Sequence, residues 1–412
     1  MTGPTPQVLR VEQLAWQDPL LAELPMPQGT MRLTRSLTSG LTLGANPGEL
    51  WGVGDRGPNI KPKVALKRYG LAALAAYAET DGAKVMPLPE TGPALARFRI
   101  DGDAVQLIEV AALRTPDGTP LSGLPLPVPS QESEPALTLD GMPLGCHADG
   151  ADTEGIARRA DGKLWIAEEY GPSLLLAGAD GLIEARHVPV GTAQYFARST
   201  IPIIESLPAL AVARKLNRGF EALALSPDGK VLFTAFQSPL SHPDRSAHEH
   251  SDLARIWALD AENGTLLAEF AYPLGPRKGF RRDLAEGSVK RDDIKISELT
   301  MLDDGSLLVL ERVTLSTHIY RVLPTSGLAL APEWRDPVRR PTLEQVGSAG
   351  VAALDKQLVF STDDHPEICG DLEGMIMLAP GTMLLANDSD YGTEGVETEF
   401  WRITFAEPLV AA

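Results

Sequence analysis

The chain has 412 residues, 43% hydrophobic and 22% charged, which suits a soluble protein with a large buried core. Its 55 acidic and 37 basic residues leave a formal charge of −18, which argues against nucleic acid or an anionic membrane as the main partner. No stretch approaches the ~20 apolar residues of a membrane span. Met1-Thr-Gly-Pro-Thr-Pro shows no basic region followed by an apolar one, so the chain reads as cytoplasmic as it stands, or periplasmic or secreted if a leader was removed.

In chain order, residues 7–14 read as a lone strand. Gly40-Leu-Thr-Leu, a turn at Gly48 and Leu50-Trp-Gly-Val-Gly-Asp55-Arg56-Gly57 read as a first hairpin. An insertion over 61–96 follows, with an Ala- and Leu-rich run from Lys63 to Glu79 that predicts a short helix over one face. The insertion over 113–150 opens with a Pro-rich surface loop, Leu113 to Pro135. A second hairpin runs from Asp152-Thr-Glu154-Gly155 through the Asp161-Gly162 turn to Trp165-Ile-Ala-Glu168-Glu169-Tyr170. The insertion over 190–218 carries a helical run around Leu207 to Arg214.

A third hairpin starts at Phe220-Glu221 and turns at Asp228-Gly229. The insertion over 238–252 contains His248-x-His250. In an extended loop those imidazoles would share a side and could ligate a metal; a solvated polar loop is the other reading. The fourth hairpin runs from Ser297-Glu298 through Asp304-Gly305 to Glu311-Arg312, and the fifth from Leu372-Glu373-Gly374 through Gly381 to Asn387-Asp388. Strands follow the hairpins at Ala96-Phe98-Ile100, Arg255 to Leu259, His318 to Val322 and Lys356 to Thr362, and Thr398 to Phe405 alternates as a last strand.

The hairpins are one motif repeated. From leading Glu to turn Gly the steps are 154 to 162, 221 to 229, 298 to 305 and 373 to 381, that is 8, 8, 7 and 8 residues. Repeated hairpins with outer strands predict an all-β fold: a β-propeller of five or six blades with helical and loop insertions on one face. The interval from 39 to 154 has room for a sixth blade. Strand 7–14 is expected to close the ring by pairing with strand 398–405.

In such a ring the first strand of each hairpin lines the axis. Glu154, Glu221, Glu298 and Glu373 would then share a central mouth, joined from the strand ends by Asp55, Glu169, Glu311 and Asp388. Converging carboxylates repel, and an oxygen-rich site suits Ca²⁺. Alternatively these acids cap backbone amides or pair with Arg56, Arg158, Arg218 and Arg312. Arg56 and Arg312 each follow a strand-end acid, where a guanidinium fork could take phosphate or carboxylate, or simply pair with an acid. Of Glu168 and Glu169, which point to opposite sides of a strand, one would face the channel as ligand or general base. Cys146 and Cys369 have no zinc spacing and read as two thiols or a disulfide. No nucleophile elbow, Walker loop or dinucleotide fingerprint appears.

Gly54-Asp55-Arg56-Gly57-Pro58-Asn59, Asp152-Thr-Glu154-Gly155, Trp165-Ile-Ala-Glu168-Glu169-Tyr170-Gly171-Pro172, Asn217-Arg-Gly-Phe220-Glu221 and Leu372-Glu373-Gly374-Met resemble the bacterial "esterase-like activity of phytase" proteins. More distantly the chain is similar to the calcium propellers of gluconolactonases and paraoxonases. The resemblance implies a propeller with central calcium that hydrolyses phosphate or other esters. On that expectation Glu154, Glu221, Glu298, Glu373 and Asp388 hold Ca²⁺. Arg56, Asn59 and Arg312 hold a small anionic ester, and Asp55 or Glu169 positions water. A non-catalytic binding propeller with structural calcium, or a lactonase on the same platform, is the alternative.

Overall fold

A computed structural model describes residues 4–127 and 134–410. The Pro-rich loop expected over Leu113 to Pro135 therefore lies partly outside the described residues, as do the first three residues of the N-terminal segment. Each predicted hairpin heads an antiparallel sheet. Blade 1 is Gly40–Leu43, Glu49–Val53, Ala94–Asp101 and Ala104–Ala112. Blade 2 is Thr153–Arg158, Leu164–Glu168, Ser173–Ala177 and Ile183–Pro189. Blade 3 is Phe220–Leu225, Val231–Phe236, Leu253–Asp260 and Leu266–Pro273. Blade 4 is Lys295–Met301, Leu307–Arg312, Thr317–Val322 and Lys356–Ser361. Blade 5 is Leu372–Ala379, Thr382–Asn387 and Phe400–Phe405, completed by Val8–Leu14. The interval from 39 to 154 holds the outer strands and insertions of blade 1, so the blades number five.

The first strands of neighbouring blades touch all the way round, including blade 5 to blade 1. This tight ring explains the Glu-Gly step of blade 2. A Cβ on Gly155 would come within 2.8 Å of the Ala222 backbone, and one on Gly40 within 2.3 Å of the Glu154 carbonyl oxygen. Five apolar clusters fill the five gaps between blades. Alternation along each strand supplies them: one side of a sheet faces the preceding blade and the other the following one. Between blades 2 and 3, Phe220, Phe236 and Trp257 meet with ring centroids 4.8–5.6 Å apart.

The insertions build the rim. Helix Pro62–Tyr69 has Pro62 in its first turn and stops at Gly70, whose φ of 70° ends the helix. With the 3₁₀ turn Ala72–Tyr77 it packs on a hairpin, Leu20–Pro25 with Thr30–Thr34, that periodicity does not reveal. A fifth strand, Ile203–Leu207, joins blade 2 parallel to Ile183–Pro189, and the expected helical run shortens to the 3₁₀ turn Ala209–Ala213. Residues Arg245–His250 form a short helix capped by Asp244, not an extended loop. His248 is buried with its Nδ1 on the Pro239 carbonyl and His250 is exposed with its Nδ1 on the Ser246 carbonyl, so the segment is neither the extended metal-binding loop nor the solvated polar loop expected. Both cysteines are free thiols. Among the described residues no helix is long and apolar enough to cross a membrane.

Candidate functional site

Blades 2 to 5 each carry a bulge where the first strand starts. The pairing skips Glu154 and Gly155 in blade 2, Glu221 in blade 3, Ser297 in blade 4 and Glu373 in blade 5. A bulge kinks the strand and re-aims the unpaired residue. Glu154, Glu221, Ser297 and Glu373 thus form one layer at the axial mouth. The residues ending the second strands form the next: Glu169, Gln237, Arg312 and Asp388, with Asp55 from blade 1.

Register corrects two expectations. Glu298 stands one residue past the bulge, opposite Leu310. Its carboxylate accepts the Leu299 N–H at 2.9 Å and, from blade 1, the Leu41 N–H at 3.1 Å. Its oxygens are taken by backbone amides, so it caps, and Ser297 occupies its expected place. Glu311 points away from the axis, accepting from Tyr272 at 2.5 Å, Gly275 N–H at 2.8 Å and Lys356. Arg312 takes its place in the second layer.

The acids concentrate on blade 2. Carboxylate oxygens of Asp152, Glu154 and Glu169 lie within 4.8 Å of one another, and all three residues are buried. Two unit charges at that separation repel by about 3 kcal/mol at an effective dielectric near 20. Burial first and neighbouring carboxylates second raise the pKa of Glu154 and Glu169 well above the usual range. Burial likewise raises Asp152, opposed by Arg56. Among the described residues the Glu154 carboxylate makes no hydrogen bond or ion pair, and Glu169 Oε1 and Glu221 Oε2 are buried without a partner. Orphaned oxygens beside crowded acids fit a hard cation bound through oxygen.

The other expected residues are engaged within the protein. Arg56 ion-pairs with Asp152, with Glu134 at 2.7 Å and with Glu169 at 3.6 Å. It also donates to Asn217 at 2.5 Å and lies over the Tyr170 ring. It braces Asp152 and Glu169 of the acidic trio and has no fork left for substrate. Arg312 pairs with Asp371 at 2.6 Å and with Glu373, and donates Nε–H to Ser297 at 2.9 Å. Asn59 donates to the Gly57 carbonyl at 3.1 Å and accepts from Lys84 at 2.7 Å. Asp388 accepts from Ser36 at 2.5 Å and Ser39 at 2.7 Å. Asp55 accepts the Gly57 N–H at 3.0 Å, and burial, then Asp388, holds its carboxyl well above the usual range. Glu168 locks the following turn, accepting from Tyr170 N–H, Gly171 N–H and the Ser173 hydroxyl.

Blades 3 and 4 bring cations to the same mouth. Arg218 precedes Phe220, and Lys295 opens blade 4 opposite Arg312. Burial first, then Arg312 and Arg218, pulls the Lys295 pKa down to about 7.

The mouth also gathers backbone strain. Among the described residues, Asn217, Asp371, Asp390 and Tyr391 are the non-glycine residues with positive φ, at 47–55°. Asn217 holds Arg56, Asp371 holds Arg312, Asp390 N–H bonds to Asp388 at 2.7 Å, and Tyr391 adjoins Gly54. Such conformations cost about 1–3 kcal/mol each and cluster at functional sites. A cavity of about 650 Å³ lies elsewhere, lined by Asp244, His250, Asp252, Arg291 and Glu344; no mouth carboxylate lines it.

Sequence spacing missed Asp152, Ser297, Gln237, Lys295 and Glu134. Asp152 was legible, because it stands two residues before Glu154. Lys295 takes the same offset from Ser297, once Ser297 is aligned. Glu134 reaches Arg56 from an insertion that no repeat register fixes.

Fold and site define a five-bladed propeller with a charged axial mouth, acidic on blade 2 and cationic on blades 3 and 4. A family model described as "Phytase-like: Esterase-like activity of phytase" matches residues 36–391, and the chain belongs to that family. An "Uncharacterized secreted protein" of Arthroderma benhamiae is 25% identical over 305 residues, covering 65% of this chain. The chain spans 55% of that relative's length. Among solved structures, the PQQ-bound aldose sugar dehydrogenase of Streptomyces coelicolor is 11% identical with a TM-score of 0.37, covering 97% of each chain. A putative gluconolactonase is 10% identical with a TM-score of 0.33, covering 99% of this chain and 100% of its own.

Proposed function

We propose that this protein is a calcium-dependent hydrolase of phosphate esters, with the ion held by Asp152, Glu154 and Glu169 and Glu221 beside them. The observation that carries the reading is the buried trio of carboxylates within 4.8 Å, in which the Glu154 carboxylate has no hydrogen bond or ion pair among the described residues. Bound there, a divalent ion would polarise a phosphoryl oxygen and favour ionisation of water. The chain's own residues set the stage: Arg56 fixes Asp152 and Glu169, Gln237 and Ser297 orient Glu221, and Arg312 fixes Glu373. Glu169 Oε1, unpartnered among the described residues, and the Asp55 carboxyl, whose pKa burial raises, would hold or release a proton near a bound ester. The set of oxygen donors, without thiolate or imidazole, favours Ca²⁺ or a similar hard ion.

The test is release of phosphate or nitrophenol from a phosphate-ester panel, with lactones and carboxylic esters alongside, in calcium and in chelator. Glu154→Gln should weaken calcium binding by roughly tenfold or more and abolish the calcium-dependent rate, while its far-UV circular dichroism stays native. Full activity in chelator would refute the reading. A blank panel with calcium raising only the melting temperature would assign a binding propeller with a structural ion instead.

A further inference from the structure

We infer that Arg218 and Lys295, on blades 3 and 4, form an oxyanion subsite of the mouth, and that the group they take is a phosphoryl dianion. The substrate class rests on the hydrolase reading; the binding itself is tested apart from it.

The two guanidiniums named by sequence motif are already held, Arg56 by Glu134, Asp152 and Asn217, and Arg312 by Asp371, Glu373 and Ser297. Lys295 and Arg218 differ. Among the described residues the Lys295 ammonium has no hydrogen bond and no carboxylate within ion-pair distance, and Arg218 donates one bond, from Nη1 to Gln237 Oε1 at 2.8 Å. Both are half-buried, so each keeps an open face. Lys295 stands opposite Arg312 in the strand pair, and its neighbour Ile296 donates to the backbone carbonyl of Gln237 at 2.8 Å while Arg218 holds the Gln237 side chain, so both guanidiniums lie near its ammonium and oppose its charge. Its acidic neighbours Asp371 and Glu373 are already claimed by Arg312. Like charges set side by side, half out of water, are unfavourable until an anion lies across them.

Position selects the anion. Lys295 holds in blade 4 the place that Asp152 holds in blade 2, so the open cations and the acidic trio face the same mouth from adjoining blades. A phosphoryl group presents three oxygens on a tetrahedron. It can face an ammonium, the fork of Arg218 and an ion on the acidic side at once. A planar carboxylate, with two oxygens and one charge, cannot satisfy all three.

Calorimetric titration of the full chain with inorganic phosphate, in calcium, tests the inference. Wild type should bind phosphate at least tenfold more tightly than acetate. Lys295→Met and Arg218→Gln should each weaken phosphate at least tenfold and leave the calcium titration within twofold. Lys295→Arg should retain binding, and Lys295→Met should melt no lower than wild type because it removes a repelled charge. Absence of phosphate binding to wild type, equal binding by the variants, or acetate binding as tightly as phosphate would overturn the inference. Phosphate binding that needs both residues, in a protein that cleaves no ester, would uphold this subsite and refute the hydrolase reading.

Discussion

Two buried backbone amides, Leu41 N–H on blade 1 and Leu299 N–H on blade 4, end on the Glu298 carboxylate. Glu298→Ala would orphan both, at about 1–3 kcal/mol each. Its denaturation midpoint should fall accordingly while calcium affinity stays unchanged. Glu154→Gln should do the opposite, because among the described residues its carboxylate makes no bond to lose. Denaturant titration and calorimetry of the two variants separate lock from ligand. The sequence carried a trace of this difference. Three leading Glu residues stand eight before their turn Gly, but Glu298 stands seven before Gly305, and Ser297 restores the eight. Residue type pointed to Glu298, while spacing pointed to its neighbour. Asp152 and Glu169 were readable from strand alternation; the pairing of Arg56 with Glu134 and Asn217 was not, since those arrive from loops.

The hairpins were legible because each combines an apolar run with a turn whose glycine takes positive φ, as at Gly162, Gly229 and Gly305. The rim was not, because short 3₁₀ turns and the strand Ile203–Leu207 depend on what they pack against. Between the blades, packing alone decides stability. Phe236, 1% exposed and wedged between Phe220 and Trp257, should cost about 3–5 kcal/mol when cut to Ala. Guanidinium unfolding followed by tryptophan fluorescence checks this. Removing Val8–Leu14 would expose the whole edge of Phe400–Phe405. That truncation should form concentration-dependent aggregates by light scattering, whereas the full chain should not.

At the scale of the molecule, the −18 charge and the acidic mouth make stability a matter of pH and cation together. Asp55, Glu154, Glu169 and Glu373 have pKa values raised by burial first and then by neighbouring carboxylates. Their ordinary values are 3.8 for Asp and 4.5 for Glu. A carboxyl whose folded value exceeds its unfolded one favours the fold fully below the unfolded value. That contribution is lost as pH rises through the folded value. In chelator, the stability difference between wild type and Glu154→Gln should therefore move against wild type as pH climbs from 4 toward 8. Calcium should reverse the trend, with a melting-temperature gain that grows with pH and proton release on binding. A calcium gain that stays flat across this range would contradict an ion bound by these acids.

The pairing of Val8–Leu14 with Phe400–Phe405 also sets an order in time. The opening strand cannot find its partner until Phe400–Phe405 has left the ribosome. At about 5–20 residues per second that wait is on the order of half a minute. Blades 1 to 4 can pack as they emerge, but the ring stays open, its first and last faces wet, until Phe400–Phe405 has emerged. Holdase chaperones have that interval in which to act.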